Sequence, residues 1–204
     1  MLISTRLPRK KNPPAVGCGL KTSCSLGFCF KEGECREGSA YDEISLIWRN
    51  GDKNVKAMCP DVCKDKVTEI DISLLNSLGV KGLLIDLDNT LGGYDDSLPP
   101  QEVIEWMNAL TAVGISVCIM SNNSHKERVS AYAQALGIKW KNLALKPLPF
   151  KMGRARKEMG LKRKEVLVVG DQVLTDLLAG KLGRMKTLLV TSVAKRKARE
   201  MQER

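Results

Sequence analysis

At 204 residues and a formal charge of +10, the chain is long enough for one well-buried domain plus an appendage of about fifty residues. It contains no uninterrupted apolar run of about 18 residues, which argues against a transmembrane helix. Residues 1–11 turn basic and proline-containing before any apolar core develops, so no secretory signal is expected. The surplus of Lys and Arg leaves anionic membranes, nucleic acid and phosphorylated substrates open as partners. The plain alternative is that the basic runs 151–164 and 195–204 are solvated helix faces.

Residues 1–54 differ from the rest. Pro8, Pro13, Pro14, several glycines and Cys18, Cys24, Cys29 and Cys35 interrupt every period, which predicts a loosely ordered leader. The cysteine spacings are not the paired two-residue gaps of zinc ribbons, although a zinc site built from Cys18 to Cys35 stays open. An odd total of seven cysteines argues against a complete disulfide framework and for a reducing compartment. A cytoplasmic location follows, or an organelle if the leader is a transit peptide.

From residue 55 the pattern becomes regular. Leu74, Leu75, Leu78 and Val80 mark a short helical segment ahead of a buried strand at 82–85. Residues 101–113 carry apolar side chains at helical spacing behind Pro99 and Pro100, and 115–120 read as the next strand. A helix over 124–136 follows, with Ser124 as its cap and Gly137 as its stop. A weaker strand is predicted over 138–145, then a basic helix over 150–159, a strand over 165–169, a helix over 172–179 stopped by Gly180, and a strand over 187–190. The tail beyond 193 reads as a charged helix. Alternation at these lengths argues for an α/β fold with a parallel sheet and helices on both faces, whose strands deliver their carboxyl ends to one edge.

That edge collects a specific set of side chains. Asp86 and Asp88 stand two apart at the tip of the first buried strand, where two like charges call for a cation or a shared proton. Ser121 and Asn122 end the next strand, Lys146 follows the third, and Asp171 with Asp176 follows the fourth. Carboxylates of this kind suit Mg2+, with Asp86 and Asp171 as the natural pair and Asp176 in support. A carboxylate held beside a bound phosphate can act as nucleophile, a second can move the proton, and a serine and a lysine can hold the phosphoryl oxygens. For Asp86 and Asp88 the plain alternative is turn chemistry after a strand; for Lys146 it is an ordinary surface lysine.

Asp86-Leu87-Asp88-Asn89-Thr90, Ser121-Asn122-Asn123, Lys146-Pro147 and Gly170-Asp171-Gln172-Val173-Leu174-Thr175-Asp176 resemble, in order, the four motifs of the haloacid dehalogenase (HAD) superfamily phosphatases. The closer resemblance is to the YqeG family of subclass IIIA, related to phosphatidylglycerophosphate phosphatases. It covers residues 55–193, leaving 1–54 as leader and 194–204 as basic tail. The resemblance implies a capless three-layer Rossmann-like fold, with Asp86 as nucleophile, Asp88 as acid/base, and Ser121, Asn122 and Lys146 around the phosphate. It further implies Mg2+ on Asp86, Asp171, the carbonyl of Asp88 and, in support, Asp176. Phosphatidylglycerophosphate at the inner membrane face is the implied substrate. The alternatives are a soluble phosphorylated metabolite, a nucleic-acid end, or a non-catalytic module that binds nucleic acid or protein.

Overall fold

The structure is a computed structural model and describes residues 59–203. The leader, its four cysteines and Trp48 lie outside the described residues. The strands are β1 (Val62–Lys64), β2 (Gly82–Ile85), β3 (Ser116–Met120), β4 (Lys139–Lys141), β5 (Val166–Gly170) and β6 (Lys186–Val190). They form one parallel sheet in the order β1-β6-β5-β2-β3-β4. The helices are α1 (Ile72–Ser77), α2 (Gln101–Ala112), α3 (Lys126–Ala135), α4 (Phe150–Glu158), α5 (Leu178–Leu182) and α6 (Val193–Gln202).

β2 is buried along its whole length, and the two-residue period of a strand divides its side chains between two cores. Leu83 and Ile85 pack in the larger core with Leu75 of α1, Met107 and Leu110 of α2, and Val129 and Tyr132 of α3. Leu84 points the other way, into a core with Met152 and Ala155 of α4 and Ala179 of α5. These two cores on opposite faces make the architecture three-layered. From β2 the chain winds outward to β3 and β4, then returns to β5 on the other side of β2. The reversal places the crevice at the carboxyl ends of β2 and β5, where open sheets of this kind bind ligands. No domain is inserted among the described residues: after β2 a loop leads directly to α2, and β3 and β4 are joined by α3 alone.

The structure corrects the sequence reading at several points. β1 went unseen because three residues are too few to show a period, and its pairing with β6 is reinforced from outside the strand. Asp61 Oδ2 there accepts from Thr187 N at 2.8 Å and from Thr187 Oγ1 at 3.0 Å. The strand predicted over 138–145 stops at Lys141, because Leu143 and Leu145 turn to φ of 47° and 58° and leave the sheet. Ser124 does not cap α3, whose first residue is Lys126; the carbonyl Oδ1 of Asn123 accepts from His125 N instead, at 2.8 Å. Gly180 does not stop its helix. It lies inside α5, where a Cβ would come within 2.5 Å of Thr187 Cγ2 and 3.1 Å of Val168 Cβ, so glycine lets the helix lie close on the sheet. The basic run 151–164 also divides between edges: α4 begins at the carboxyl edge with Lys151, while Lys162, Arg163 and Lys164 precede β5 at the amino edge.

Trp106 of α2 is in the core. Its indole N–H donates to the Ile70 carbonyl at 2.8 Å, joining α2 to the segment that enters α1. Replacing Trp106 by Phe keeps most of the apolar surface and strands that carbonyl. Trp106→Phe is therefore expected to lower stability by about 1–3 kcal/mol. Urea unfolding would show this as a lower midpoint at unchanged slope.

Candidate active site

Asp86 follows the last residue of β2, and its amide donates to Val169 O at 2.9 Å, which ties it to the end of β5. Its carboxylate meets Lys146 Nζ at 2.5 Å, and the same ammonium reaches Asp176 Oδ1 at 2.7 Å. Asp171, the first residue beyond β5, closes the group: one carboxylate oxygen each from Asp86, Asp171 and Asp176 lie within 4.8 Å of one another. All three aspartates and Lys146 are buried.

Each member needs a local device. Asp176 sits in a π-helical turn, Val173–Leu177, where the amides of both Asp176 and Leu177 reach back to Gln172 O, at 3.1 and 3.3 Å. The widened turn brings its carboxylate back over Gly170, where a Cβ would lie 2.2 Å from Asp176 Cγ. Only glycine leaves that space. Lys146 is delivered by a loop and not by a strand end, as the sequence reading had it. Leu143 and Leu145 at positive φ are unusual for bulky side chains and cost about 1–2 kcal/mol each. The loop is held by Asn122, whose Oδ1 accepts from Lys146 N at 2.8 Å and whose Nδ2 donates to Lys146 O at 3.0 Å. Asn122 thus grips the backbone of the lysine with both ends of its amide.

Asp88 is held apart from this group. One carboxylate oxygen takes a guanidinium N–H of Arg128; the other faces Asn123 Nδ2 at 3.3 Å and Ser121 Oγ at 3.4 Å. Arg128 also donates to Gly93 O at 2.8 Å and Asp96 O at 3.3 Å, and lies 5.8 and 5.5 Å from the ring centroids of Tyr94 and Tyr132. Arg128 was not singled out from sequence, and Asn123 entered only as the last residue of the Ser121-Asn122-Asn123 motif. One signal was available: a cation in the first turn of a helix opposes the helix dipole, so Arg128 there calls for an acidic partner.

The electrostatics follow from burial and count. Burial raises Asp86 to about 8 against the attraction of Lys146, with Asp176 adding repulsion. Burial and the neighbouring Asp176 raise Asp171 to about 6. Burial opposes the charge on Lys146, but Asp86 and Asp176 outweigh it and hold the ammonium above the usual lysine range. Three carboxylates against one ammonium leave a deficit of positive charge that a hard divalent cation would fill, and the donors are all oxygens. The residues present fit such an ion.

Comparison with known proteins gives the family. A model of haloacid dehalogenase-like hydrolases matches residues 41–183. The chain is 37% identical over 139 residues to the probable phosphatase YqeG of Bacillus subtilis (strain 168), covering 68% of this chain and 80% of that protein. The chain belongs to the haloacid dehalogenase-like hydrolases. It is an enzyme of the phosphatase type within that family. Among solved structures, an uncharacterised protein from Listeria monocytogenes serotype 4b aligns at 10% identity with a TM-score of 0.47, over 61% of this chain and 100% of that one. The cobalt-bound deoxy-D-mannose-octulosonate 8-phosphate phosphatase of Haemophilus influenzae aligns at 18% identity with a TM-score of 0.45, over 61% of this chain and 87% of that one.

The raised carboxylates set a pH dependence. Above about pH 4 the unfolded chain has released the Asp86 and Asp171 protons, whereas the metal-free native state keeps one or both up to about pH 8. The native state then binds more protons, so its stability falls as pH rises through that window. A divalent cation needs both groups ionised and gains affinity over the same range. Thermal unfolding in chelator and in excess Mg2+ is expected to show a Mg2+-induced rise in Tm that is larger at pH 8 than at pH 5. An equal rise at both would contradict the assignment.

Proposed function

We propose that this hydrolase is a Mg2+-dependent phosphomonoesterase working through an aspartyl-phosphate on Asp86. The observation that carries the reading is the separation of the two carboxylates of the first motif: Asp86 sits with Lys146 and the acidic group, Asp88 with Arg128. In the first step a carboxylate oxygen of Asp86 attacks phosphorus and the bond to the leaving oxygen breaks as Asp88 gives that oxygen its proton. In the second, Asp88 takes a proton from water, the water oxygen attacks phosphorus, and phosphate leaves a free Asp86. Lys146 and Ser121 hold the non-bridging oxygens, and Asn122 positions Lys146 through its backbone. Asp86, Asp171 and the carbonyl of Asp88, supported by Asp176, would hold Mg2+, which when bound offsets the charge gathered on the phosphoryl group and its ligands.

For the substrate, phosphatidylglycerophosphate is the preferred reading, hydrolysed from the inner membrane face. It is supported by the resemblance to the YqeG family and by an edge without an inserted domain, open to a bulky leaving group. Beside the site lies a cavity of about 700 Å³ between Lys66, Thr90, Gly92, Leu98, Val103 and Arg196. Thr90 faces both spaces, since its hydroxyl donates to Asp171 at 3.4 Å. The cavity offers room for a glycerol-sized group.

Asp86→Asn is expected to abolish Mg2+-dependent phosphate release while leaving the circular dichroism spectrum unchanged. Tight, salt-sensitive nucleic-acid binding that survives the substitution, with no turnover in the wild type, would instead favour a binding module. Release from phosphatidylglycerophosphate in mixed micelles should exceed release from a panel of soluble monophosphates at equal enzyme; no lipid activity would transfer the assignment to a soluble substrate.

Arg128 yields a separate expectation. If it positions the proton donor, Arg128→Met should slow alkyl phosphates, which need a proton on the leaving oxygen, by about 10²-fold. p-Nitrophenyl phosphate, whose leaving group departs unprotonated, should lose much less. Equal losses on both would assign Arg128 to the fold alone.

A further inference from the structure

Large apolar side chains stand exposed on the two segments that deliver Lys146 and Asp176. Leu143, Leu145, Leu148 and Phe150 surround Lys146, with Phe150 77% exposed, and Leu174 in the π turn of Asp176 is 63% exposed. The two segments meet where Lys146 Nζ reaches Asp176 Oδ1, so these exposed side chains stand on neighbouring segments around the rim of the carboxyl edge. We infer that this rim is a docking surface for an anionic phospholipid bilayer, an inference that rests for its substrate on the lipid-monoester reading above.

Three observations carry it. The first is the choice of residue at strained positions. Backbone at positive φ is ordinarily given to Gly or Asn, yet here Leu143 and Leu145 hold it with their side chains in solvent. Delivering Lys146 explains the turn but not the leucines. The second is charge: residues 138–157 hold seven Lys or Arg and no Asp or Glu. Glu158, the next residue, pairs with Lys141 and Arg154, and Lys139 and Lys157 stand toward the amino edge; the cations next to the rim are Lys151, whose ammonium donates to the Leu143 carbonyl, and Arg154, both in the first half of α4. An apolar tip beside cations matches a surface with hydrocarbon below and phosphate above. The third is place, since the rim surrounds a site without an inserted cap, so a docked bilayer would itself cover it.

Other occupants fit less well. A second copy would set this cationic segment against its own charge. Nucleic acid would use the cations but gain nothing from leucine and phenylalanine side chains.

The test uses the full chain and vesicles of phosphatidylcholine with or without phosphatidylglycerol, read by co-sedimentation. The wild type should bind the anionic vesicles, more weakly as salt rises, and bind phosphatidylcholine alone poorly. Leu143→Asn/Leu145→Asn/Phe150→Ser keeps residues that tolerate the turn and should reduce binding by about tenfold or more, with the circular dichroism spectrum of the wild type. Phe150→Ser and Leu174→Ser, which leave that turn untouched, should each weaken binding by about threefold.

Equal binding by wild type and all variants, or no binding by wild type, would overturn the inference. So would a dimer of the wild type that the triple substitution dissociates, or nucleic-acid binding that the apolar substitutions abolish in place of vesicle binding. Asp86→Asn should bind vesicles like the wild type. If wild type binds and the variants do not, yet no monoester is hydrolysed, the docking surface stands and the phosphatase reading falls.

Discussion

The Lys146 ammonium, shared between Asp86 at 2.5 Å and Asp176 at 2.7 Å, is the interaction on which the carboxyl edge depends. It is the buried cation among three carboxylates that lie within 4.8 Å of one another. Remove it and the edge holds uncompensated charge in a poorly solvated place, a loss of the order of 3–5 kcal/mol for a broken buried pair. Even with it the balance is unfavourable, which is why burial lifts Asp86 to about 8 and Asp171 to about 6. The fold therefore stabilises a site that stays short of positive charge.

Several irregularities of the backbone serve that arrangement. Gly170 gives the Asp176 carboxylate its space, and the π turn swings that carboxylate back toward β5. Leu143 and Leu145 take up positive φ so that a chain leaving β4 can bury Ala144 and turn Lys146 inward. Asn122 then fixes the lysine by its own backbone, so the position of the ammonium depends on β3 as well as on the loop. Strain of this kind persists only where surrounding contacts over-determine it, and it is concentrated here beside the acidic group.

The sequence disclosed the strands with hydrophobic cores of their own and the polar residues at their tips, because period and composition both report burial. Asp86 and Asp171 were legible because topology sends strand ends to one edge, with Asp176 five residues beyond; Lys146 joins them in the structure, but from a loop and not from the strand end that the sequence suggested. What remained hidden depends on contacts distant in sequence. β1 is held by Asp61 reaching Thr187, 126 positions away, and leaves no local pattern. Arg128 is defined by Asp88, Gly93 and Asp96 on another loop. The end of β4 was misplaced because Leu143 and Leu145 look like strand residues, and nothing local reveals that they turn at positive φ. Gly180 looked like a helix stop because close packing on Thr187 and Val168 is a tertiary fact.

The two carboxylates of the first motif began as a puzzle of like charges, and the structure answers it by setting them against different cations, Lys146 for Asp86 and Arg128 for Asp88. Depth separates them further. Lys146 and Asp86 leave only 3% and 8% of their side chains exposed, against 17% and 19% for Arg128 and Asp88. Under the proposed mechanism this gradient suits the two tasks. A nucleophile gains from a dry, fixed environment in which the stabilising groups around phosphorus act at low dielectric. A proton donor that must later accept a proton from water gains from reaching solvent. A complete lid would close both, whereas an open edge over a buried floor keeps them different.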